Sequence, residues 1–435
     1  MKNDVIIVGA GASGMVAGIC AARRGKKVLI IDRMAKAGKK IYATGNGKCN
    51  YTNLEYDYDS YRGEDTSIVG DVLERFNAEN TIDFFEELGI LAKNKNGYIY
   101  PYSEQASSVV EVLLMELDNL GVKILLEENV KKIIKKSYGD IDESIAMDKG
   151  NKILIGKGGY NGKEKNKDKN DINNKDNIDN IGYTVVTDKN KHICSKVILA
   201  TGGMASPKLG SNGSGYALAE SLGHSIVTPN KALVQLKTKG KEYKSLSGVR
   251  IQGKVTMYIE GEETRTNYGE FVFTDYGISG IPIMQLSRYA AVGLSKNKKV
   301  RLELDFYPDI DDKELLVMLK NRQKNCYYKD NYELLIGMIN SKLATYIDKK
   351  SNDRLEAMIR YMKKLPMEIV DTNSWDNAQV TAGGVSTKEI DSCTMESKLS
   401  KGLYITGELM DIDGTCGGYN LQWAWATGYI AGNNV

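Results

Sequence analysis

Two patterns of hydrophobic positions divide the chain, with continuous apolar runs towards both ends and alternating positions in the middle. Residues 5–8 and 28–31 are short apolar runs that flank an alanine-rich stretch ending near Arg24. Runs of this length predict buried strands, and the stretch between them predicts a helix. The runs at 196–203 and 403–406 have the same character. Together they predict an α/β fold.

The middle of the chain has a different organisation. Val249, Ile251, Val255 and Met257 alternate with polar residues, which predicts strands with one buried face. Pro282 is expected to open a helix, because proline is tolerated in the first helical turn. Another strand is predicted at 301–306, and helical spacing dominates from 312 to 362. We therefore predict a discontinuous α/β domain, 1–231 and 366–435, with an inserted domain at 232–365 that is β-rich over 232–306 and helical over 307–365.

A polar segment interrupts the first half of the α/β domain. From about 137 to 181 the composition shifts, and the stretch GGYNGKEKNKDKNDINNKDNIDNIG at 158–182 is rich in Asn, Lys and Asp with almost no apolar residues. Such a composition cannot contribute to a core, so we predict a mobile loop between the strands near Ile153 and at 183–187. Its charges are of mixed sign, which indicates a solvated loop and not a nucleic-acid site.

Charge and cysteine usage narrow the class of protein. A net charge of +3 on 435 residues indicates neither nucleic acid nor a membrane surface as partner. The six cysteines are scattered and form no Cys-x-x-Cys, so no metal site and no dithiol motif is expected. This usage predicts a reducing, cytoplasmic location. The apolar N-terminus carries patterned glycines and early charges, so we interpret it as part of the fold and not as a targeting segment.

A glycine motif gives the first chemical signal. Gly9, Gly11 and Gly14 form G-x-G-x-x-G between the first predicted strand and helix, and Asp32 follows the second strand, 18 residues after Gly14. Glycines at these positions let backbone amides approach a pyrophosphate, and an acid at this spacing can accept hydrogen bonds from a ribose. The unit predicts dinucleotide binding.

Two later segments favour FAD over NAD. One is "KVILATGG" at 196–203; the other is the strand at 403–406, which ends at Gly407 and Glu408 and is followed by the pair Gly417–Gly418 and a helix. This arrangement resembles flavoproteins with two dinucleotide-binding domains, in which the late acid contacts the ribitol and the late helix points its N-terminus at the flavin. The predicted insert contains no second G-x-G-x-x-G unit, so no dedicated NAD(P)H domain is expected.

Three longer motifs extend the resemblance to nearly the whole chain. They are "GKKIYATGNGKCNYTN", "GEFVFTDYGISGIPIMQLSR", and "AQVTAGGVSTKEIDSCTMESKL" running into "CGGYNLQWAWATGYIAG". The chain resembles a bacterial family of FAD oxidoreductases that includes aminoacetone oxidases and reductases of unsaturated bile-acid ketones. The resemblance implies a Rossmann-like FAD domain whose insert forms a roof over the flavin. Asp32 stands where glutamate is commoner and Lys48 where arginine is usual, so a contact at Lys48 would be looser.

The motifs and the resemblance together predict a set of FAD-binding residues and candidates for catalysis. The predicted FAD-binding residues are Gly9, Gly11, Ala12, Ser13, Gly14, Asp32, Arg33, Lys39, Lys40, Thr44, Gly45, Asn46, Gly47, Cys49, Asn50, Val130, Ala200, Thr201, Gly202, Gly203, Gly407, Glu408, Asp411, Gly417, Gly418, Tyr419, Asn420, Leu421 and Gln422. The candidates for catalysis are Tyr419, Asn420, Lys48 and Cys416.

Other side chains near these motifs are given structural roles. We predict that Trp423 and Trp425 pack in the core and that Cys49 is a small packing residue against the cofactor. A second hypothesis is that Cys49 and Cys416 approach one another near the flavin. His192 and His224 are expected at the surface or at helix ends and not as general bases.

The sequence leaves the reaction open. A flavoenzyme without a stable NAD(P)H site can oxidise a small amine or alcohol with oxygen, or take a hydride from transiently bound NAD(P)H and reduce an activated alkene. We favour NAD(P)H-driven reduction of a small-molecule substrate. The alternatives are an aminoacetone-type oxidase and, from another class, a non-catalytic FAD-containing redox sensor or RNA-associated protein.

Overall fold

The structure is a computed structural model that describes residues 2–55, 58–136 and 182–435. The predicted mobile loop at 137–181 and the strand near Ile153 lie outside the described residues. Within the described ranges, no helix is both long enough and apolar enough to cross a membrane.

Two segments form the α/β part of the molecule. The first contains β1 (Asn3–Val8), α1 (Ala12–Arg23), β2 (Val28–Ile31), β3 (Thr52–Asn53), β4 (Tyr61–Arg62), α2 (Ser67–Arg75), α3 (Ala78–Glu87), β5 (Ala92–Lys95), β6 (Tyr98–Pro101), α4 (Ala106–Asn119), β7 (Lys123–Leu125), β8 (Val130–Lys136), β9 (Gly182–Thr187), β10 (Lys191–Leu199), α5 (Ser214–Glu220) and β11 (Ile226–Ala232).

The inserted part and the second α/β segment follow in chain order. The insert contains β12 (Leu236–Thr238), β13 (Arg250–Ile259), β14 (Glu262–Thr274), β15 (Gly277–Gly280), α6 (Ile281–Ser295), β16 (Val300–Asp305), α7 (Asp312–Asn325), α8 (Asn331–Leu335), α9 (Ser341–Ser351), α10 (Leu355–Lys363) and β17 (Leu365–Thr372). The last segment contains β18 (Val380–Val385), β19 (Leu403–Ile405), β20 (Asp413–Gly414) and α11 (Tyr419–Asn434).

A seven-stranded sheet is the centre of the α/β part, which confirms the predicted Rossmann-like fold. Its order is β7-β2-β1-β10-β9-β8, and β19 pairs with β10. The strands β7, β2, β1, β10 and β19 run parallel, whereas β9 is antiparallel to β10 and β8. Parallel strands are covered on both faces, and the apolar runs of β1 and β2 are accordingly buried along their whole length. Only the two polar residues at the start of β1 are not buried.

Small residues bring the first and last helices together. A Cβ at Gly428 of α11 would lie 2.4 Å from the Ser13 carbonyl oxygen, and one at Gly432 would lie 2.4 Å from that of Ala17. Larger side chains would therefore separate α11 from α1. This close packing fixes the N-terminus of α11 beside the glycine loop that follows β1.

The inserted part is a closed six-stranded barrel with a helical layer. The barrel order is β12-β15-β14-β13-β16-β17, and residues such as Phe271, Leu302 and Met358 form a core separate from that of the sheet. The helix predicted at Pro282 is α6, with the proline in its first turn. Strand β17, Leu365–Thr372, belongs to the barrel, so the barrel extends past the predicted boundary at 365.

Candidate cofactor site and active site

A cavity of about 770 Å³ lies at the carboxyl ends of β1, β2 and β10. Its wall also includes the loop after β2, the first residues of α11, Leu233 and Ile281 of the insert, and Val380 at the start of β18. In doubly wound α/β folds, ligands bind at this edge of the sheet. The sequence motifs at 9–14, 39–50, 200–202 and 416–421 therefore meet around one space.

The glycine loop after β1 leaves a backbone cradle of the kind that a pyrophosphate needs. Gly9 has φ +112°, and a Cβ there would lie 2.3 Å from the Ala200 carbonyl oxygen. A Cβ at Gly14 would lie 2.0 Å from the Gly9 carbonyl oxygen, so both glycines are required by protein packing. Gly11 differs, because its nearest neighbour would be 4.0 Å away and a methyl group would project into open space. This residue set fits the diphosphate of FAD.

Asp32 lines the cavity at the end of β2. One of its carboxylate oxygens accepts a hydrogen bond from the Ala10 amide at 2.7 Å, and the other accepts one from the Met34 amide at 2.7 Å. Burial raises the pKa of Asp32, while these amides and Arg33 oppose the shift. Each carboxylate oxygen can accept a second hydrogen bond, so Asp32 is held in place to receive ribose hydroxyls.

The late acid is part of a polar array on the cavity wall. One carboxylate oxygen of Glu408 lies 2.6 Å from Lys40 Nζ. The other accepts hydrogen bonds from the backbone amide and the hydroxyl of Thr381, each at 3.0 Å. The array joins the loop after β2, strand β18 and the end of β19. Both carboxylate oxygens are fixed in direction, which suits a group that orients the polyol of a cofactor.

The second glycine loop places the N-terminus of α11 at the cavity. Gly418 caps the helix with φ +95°, and a Cβ there would lie 2.8 Å from the Thr52 carbonyl oxygen. The Asn420 side chain holds the loop by accepting from the Gly414 amide at 2.8 Å and donating to its carbonyl oxygen at 2.9 Å. Asn50 Oδ1 is buried without a hydrogen-bond partner among the described residues and belongs to a residue of the cavity wall. An uncovered helix N-terminus favours negative charge.

Most of the predicted FAD-binding residues line this cavity. These are Gly9, Gly11, Ala12, Ser13, Asp32, Arg33, Lys39, Lys40, Thr44, Gly45, Asn46, Asn50, Val130, Ala200, Thr201, Gly202, Glu408, Gly417, Gly418, Asn420 and Leu421. Within the described part of the chain, the other predicted residues lie behind the wall: Gly14, Gly47, Cys49, Gly203, Gly407, Asp411, Tyr419 and Gln422.

The residues behind the wall have partners that explain their position. Gln422 is buried and bonds to the hydroxyls of Thr52 and Thr81 and to the Phe76 carbonyl oxygen, so it joins α11 to the neighbouring elements. Asp411 accepts a hydrogen bond from the Glu64 amide at 2.8 Å. These side chains support the loops and do not line the cavity.

The four candidates for catalysis separate into two groups. Cys416 and Asn420 line the cavity. Tyr419 donates its hydroxyl to the Glu55 carbonyl oxygen at 2.8 Å, and Lys48 Nζ lies 3.2 Å from Glu104; neither belongs to the cavity wall. Burial raises the pKa of the Cys416 thiol to about 11, with the charge of Arg62 acting against the shift.

The packing roles predicted for the cysteines and tryptophans can be compared with their burial. Cys49 and Cys416 are free thiols and form no disulfide; Cys49 is fully buried, as a packing residue would be. Trp423 and Trp425 are buried, which confirms core packing.

The surface position predicted for the histidines is wrong for His224. It is buried between Glu389, 2.9 Å from Nδ1, and the Ser397 hydroxyl, 2.7 Å from Nε2. The only sequence signal at His224 was the preceding glycine, which could not show that the imidazole ring is buried after helix α5 ends. His192 is partly buried and lies 2.8 Å from Glu128.

Sequence reasoning missed several side chains around the cavity. Tyr98 and Tyr100, which alternate along β6, both contribute to the wall, and Gln379 and Ser206 add polar groups. The "YIY" alternation indicated a strand face, but nothing local indicated that this face meets a cofactor loop.

A buried ion pair beside the cavity was also missed. Arg288 of α6 donates from Nε to Asp413 at 2.7 Å, and the Asp413 side chain is 1% exposed. Burial raises the pKa of Asp413 to about 6, although Arg288 opposes the shift. The pair joins the barrel helix α6 to β20, immediately before the loop that carries Cys416.

Known proteins with similar sequences agree with this site. The family model of the HI0933-like protein Rossmann domain matches residues 3–166 and 163–434. A 3-dehydro-bile acid delta(4,6)-reductase of Clostridium scindens is 39% identical over 444 aligned residues, which cover 99% of this chain and 98% of the relative. A ribosomal RNA dihydrouridine synthase of Haemophilus influenzae is 30% identical, covering 100% of this chain and 98% of the relative.

Among solved structures, two chains of low sequence identity are similar over the whole of this chain. The open conformation of a flavocytochrome c3 fumarate reductase has a TM-score of 0.45 at 14% identity, covering 100% of this chain and 78% of that chain. A 3-ketosteroid-delta4-(5alpha)-dehydrogenase from Rhodococcus jostii has a TM-score of 0.45 at 13% identity, covering 100% and 96%. The family match spans nearly the whole chain, and its residues form a cavity that fits FAD. The chain therefore belongs to the HI0933-like family of Rossmann proteins and is an FAD-dependent oxidoreductase.

Proposed function

We propose that the chain reduces a carbon–carbon double bond conjugated to a carbonyl group, with NAD(P)H as the electron donor and a steroid-like ketone as the substrate. The observation that carries the proposal is the half-buried thiol of Cys416, which packs with the apolar side chains of Leu233 and Val380 on the cavity wall. The Clostridium scindens relative, a reductase of 3-dehydro-bile acids, supports this substrate class.

The reaction needs two groups from the protein side. FAD held in this cavity and reduced by NAD(P)H would supply the hydride for the β-carbon of the unsaturated ketone. The α-carbon must receive a proton, and Cys416 Sγ can supply one, because a thiol is protonated at neutral pH and burial raises the pKa of this one further, to about 11. The charge of Arg62 favours the thiolate that remains after proton transfer.

The rest of the cavity orients the reactants. The apolar side chains of Leu233, Ile281 and Val380 exclude water from the ketone. The positive end of the α11 dipole favours negative charge at the cavity end nearest to Gly418. Lys40 and Glu408 hold the polar part of the cofactor, because their ion pair fixes the positions of both charged groups on the cavity wall.

A second candidate is reduction of a uracil ring in RNA. The Haemophilus influenzae relative, a ribosomal RNA dihydrouridine synthase, favours it. Uracil presents a double bond conjugated to a carbonyl, so the same hydride and proton positions would serve. The two candidates differ in the substrate and share the chemistry.

An anaerobic half-reaction tests the proposal. NADH and NADPH are added separately to the purified holoenzyme, and the visible flavin band is followed. We expect rapid bleaching by one of them and recolouring on addition of a 3-keto-4-ene steroid. Recolouring by a uridine-containing RNA and not by the steroid would favour the second candidate. Bleaching only by an amine such as aminoacetone, with recolouring in air, would identify an oxidase and overturn both.

A further inference from the structure

Three arginines meet between the barrel and the α/β part of the molecule. Arg62 comes from β4, Arg265 from β14 and Arg288 from α6. Arg288 is paired with the buried Asp413 at 2.7 Å. The other two arginines have different surroundings.

Arg62 and Arg265 share one aromatic ring. The guanidinium carbon of Arg62 lies 5.4 Å from the centre of the Tyr289 ring, and that of Arg265 lies 5.5 Å from it. Tyr289 is on α6, one residue after Arg288. The ring therefore holds two cations from separate parts of the chain at one place.

Neither cation is neutralised by an acid. Within the described ranges, no carboxylate lies within 4.0 Å of the Arg62 or Arg265 guanidinium. Arg62 makes one long hydrogen bond, at 3.4 Å to the Gln285 carbonyl oxygen, and its Nε is buried without a partner. Of the nearby acids, Asp413 is paired with Arg288 and Asp411 accepts the Glu64 amide. Asp413 therefore acts on Arg62 only from beyond 4.0 Å, and Arg62 and Arg265 form a positive site without a close ion pair among the described residues.

Helix α6 connects this positive site to the cavity. Ile281, the first residue of α6, lines the cavity, and Gln285 and Tyr289 follow at intervals of four residues on the same helix face. Eight residues of helix span roughly 12 Å. Arg62 also acts electrostatically on Cys416, which lines the cavity.

We propose that Arg62 and Arg265 form a subsite for an anionic group, a carboxylate or a phosphate, on the far end of the substrate. The inference rests on the proposed function and specifies its substrate class. A substrate that reaches from the thiol of Cys416 along α6 must be elongated, apolar along its length and negatively charged at the end distant from its reacting ketone. A guanidinium pair suits both carboxylate and phosphate oxygens.

Binding to the oxidised holoenzyme tests the subsite without turnover. The probes are 3-oxochol-4-en-24-oic acid and its methyl ester, which differ in charge at the end opposite the ketone, and the readout is the change in the visible flavin spectrum on titration. We expect the acid to bind about tenfold more tightly than the ester, the size of one charge-assisted contact. The substitutions Arg62→Gln and Arg265→Gln should each bring this ratio close to one.

Arg250→Gln is the matched control, because Arg250 is an exposed arginine on the adjacent strand β13 and is already paired with Glu270 at 2.8 Å. It should keep the tenfold ratio. Equal binding of acid and ester by the unsubstituted protein, or an unchanged ratio in Arg265→Gln, would overturn the subsite. Arg265 is exposed, so its substitution should leave folding intact if Arg62→Gln proves unstable.

A second pair of probes separates this inference from the proposed function. If neither steroid alters the flavin spectrum, the steroid substrate is wrong, and uridine is compared with a uridylate trinucleotide. Tighter binding of the trinucleotide, lost in Arg62→Gln and Arg265→Gln, would support the anion subsite with phosphate as its ligand. Binding that is insensitive to both substitutions would overturn it.

Discussion

The two ends of the cavity are built in different ways. At the phosphate end, the cradle comes from a short contiguous stretch, Gly9 to Gly14, and its geometry is set by backbone contacts such as the 2.0 Å that would separate a Gly14 Cβ from Gly9. Towards the substrate end, Cys416 on the cavity wall and the two arginines of the proposed subsite, Arg62 and Arg265, come from segments up to about 350 residues apart and meet only through tertiary packing. A local backbone motif leaves a sequence pattern, whereas a side-chain assembly leaves none.

This difference has an energetic counterpart. The phosphate end depends on glycines that carry no side chain, so a substitution there is destabilising because the added side chain overlaps neighbouring atoms. The substrate end depends on the charges of Arg62, the exposed Arg265 and the buried pair Arg288–Asp413, so substitutions that break the buried pair act through unpaired charge. The largest loss of stability is therefore expected at the substrate end.

Replacing Arg288 by Met should give the largest effect. It leaves the buried Asp413 carboxyl without its cation, and a broken buried pair costs about 3–5 kcal/mol of the free energy of unfolding. The loss should be greater at pH 8 than at pH 5. Burial holds the folded-state pKa of Asp413 at about 6, above its usual value of 3.8, so the protonated carboxyl favours the folded state and this contribution is lost as the pH rises through 6. In Arg288→Met the carboxyl is therefore protonated at pH 5 but buried as an unpaired charge at pH 8. Urea unfolding at the two pH values measures this.

The control is the double substitution Arg288→Met with Asp413→Asn, which removes both charges and should recover most of the stability at pH 8. An equal loss for Arg288→Met at both pH values would attribute the effect to packing of the arginine stem. In that case substitutions at both ends would act through packing, and the contrast between the two ends would be lost.

At the phosphate end, two neighbouring glycines should respond differently to alanine. Gly14→Ala overlaps the Gly9 carbonyl oxygen and should lower the free energy of unfolding by about 1–3 kcal/mol even without cofactor. Gly11→Ala meets no protein atom closer than 4.0 Å, so the apoprotein should keep its stability while FAD is lost, because the methyl group enters the space for the diphosphate. Thermal unfolding of the apoproteins and flavin content of the holoproteins measure both. Full flavin content in Gly11→Ala would contradict the placement of the diphosphate.

The same contrast explains what the sequence could predict. The strand–helix–strand unit, the late strand and the helix at α11 were predictable because glycine spacing and apolar runs specify them locally. The anion subsite was not, because Arg62 lies on a two-residue strand and Arg265 on a polar hairpin strand, where arginine is ordinary. Strand β17 was assigned to the wrong part for a related reason: it closes the barrel with β12 and β16, and such pairing is set by tertiary register.

Side-chain reach also escaped prediction at positions inside the motifs. Lys40 and Lys48 belong to the same motif, and Lys40 was predicted to bind FAD while Lys48 was a candidate for catalysis. In the structure Lys40 binds Glu408 on the cavity wall, whereas Lys48 points to Glu104, which also contacts Lys93 and Lys95. A motif therefore locates a loop more reliably than the direction of its long side chains.

The smallest effect is accordingly expected at Lys48. Lys48→Ala removes an exposed ion pair whose acid keeps two other lysines, and such pairs contribute about 0–1 kcal/mol. We expect FAD affinity and turnover to change less than about twofold. Lys40→Ala, its match within the motif, should weaken FAD binding about tenfold, because Glu408 loses its cation on the cavity wall. Fluorescence titration of the apoproteins with FAD measures both. A larger loss for Lys48 than for Lys40 would mean that the "GKC" turn, and not the Lys40–Glu408 contact, holds the cofactor.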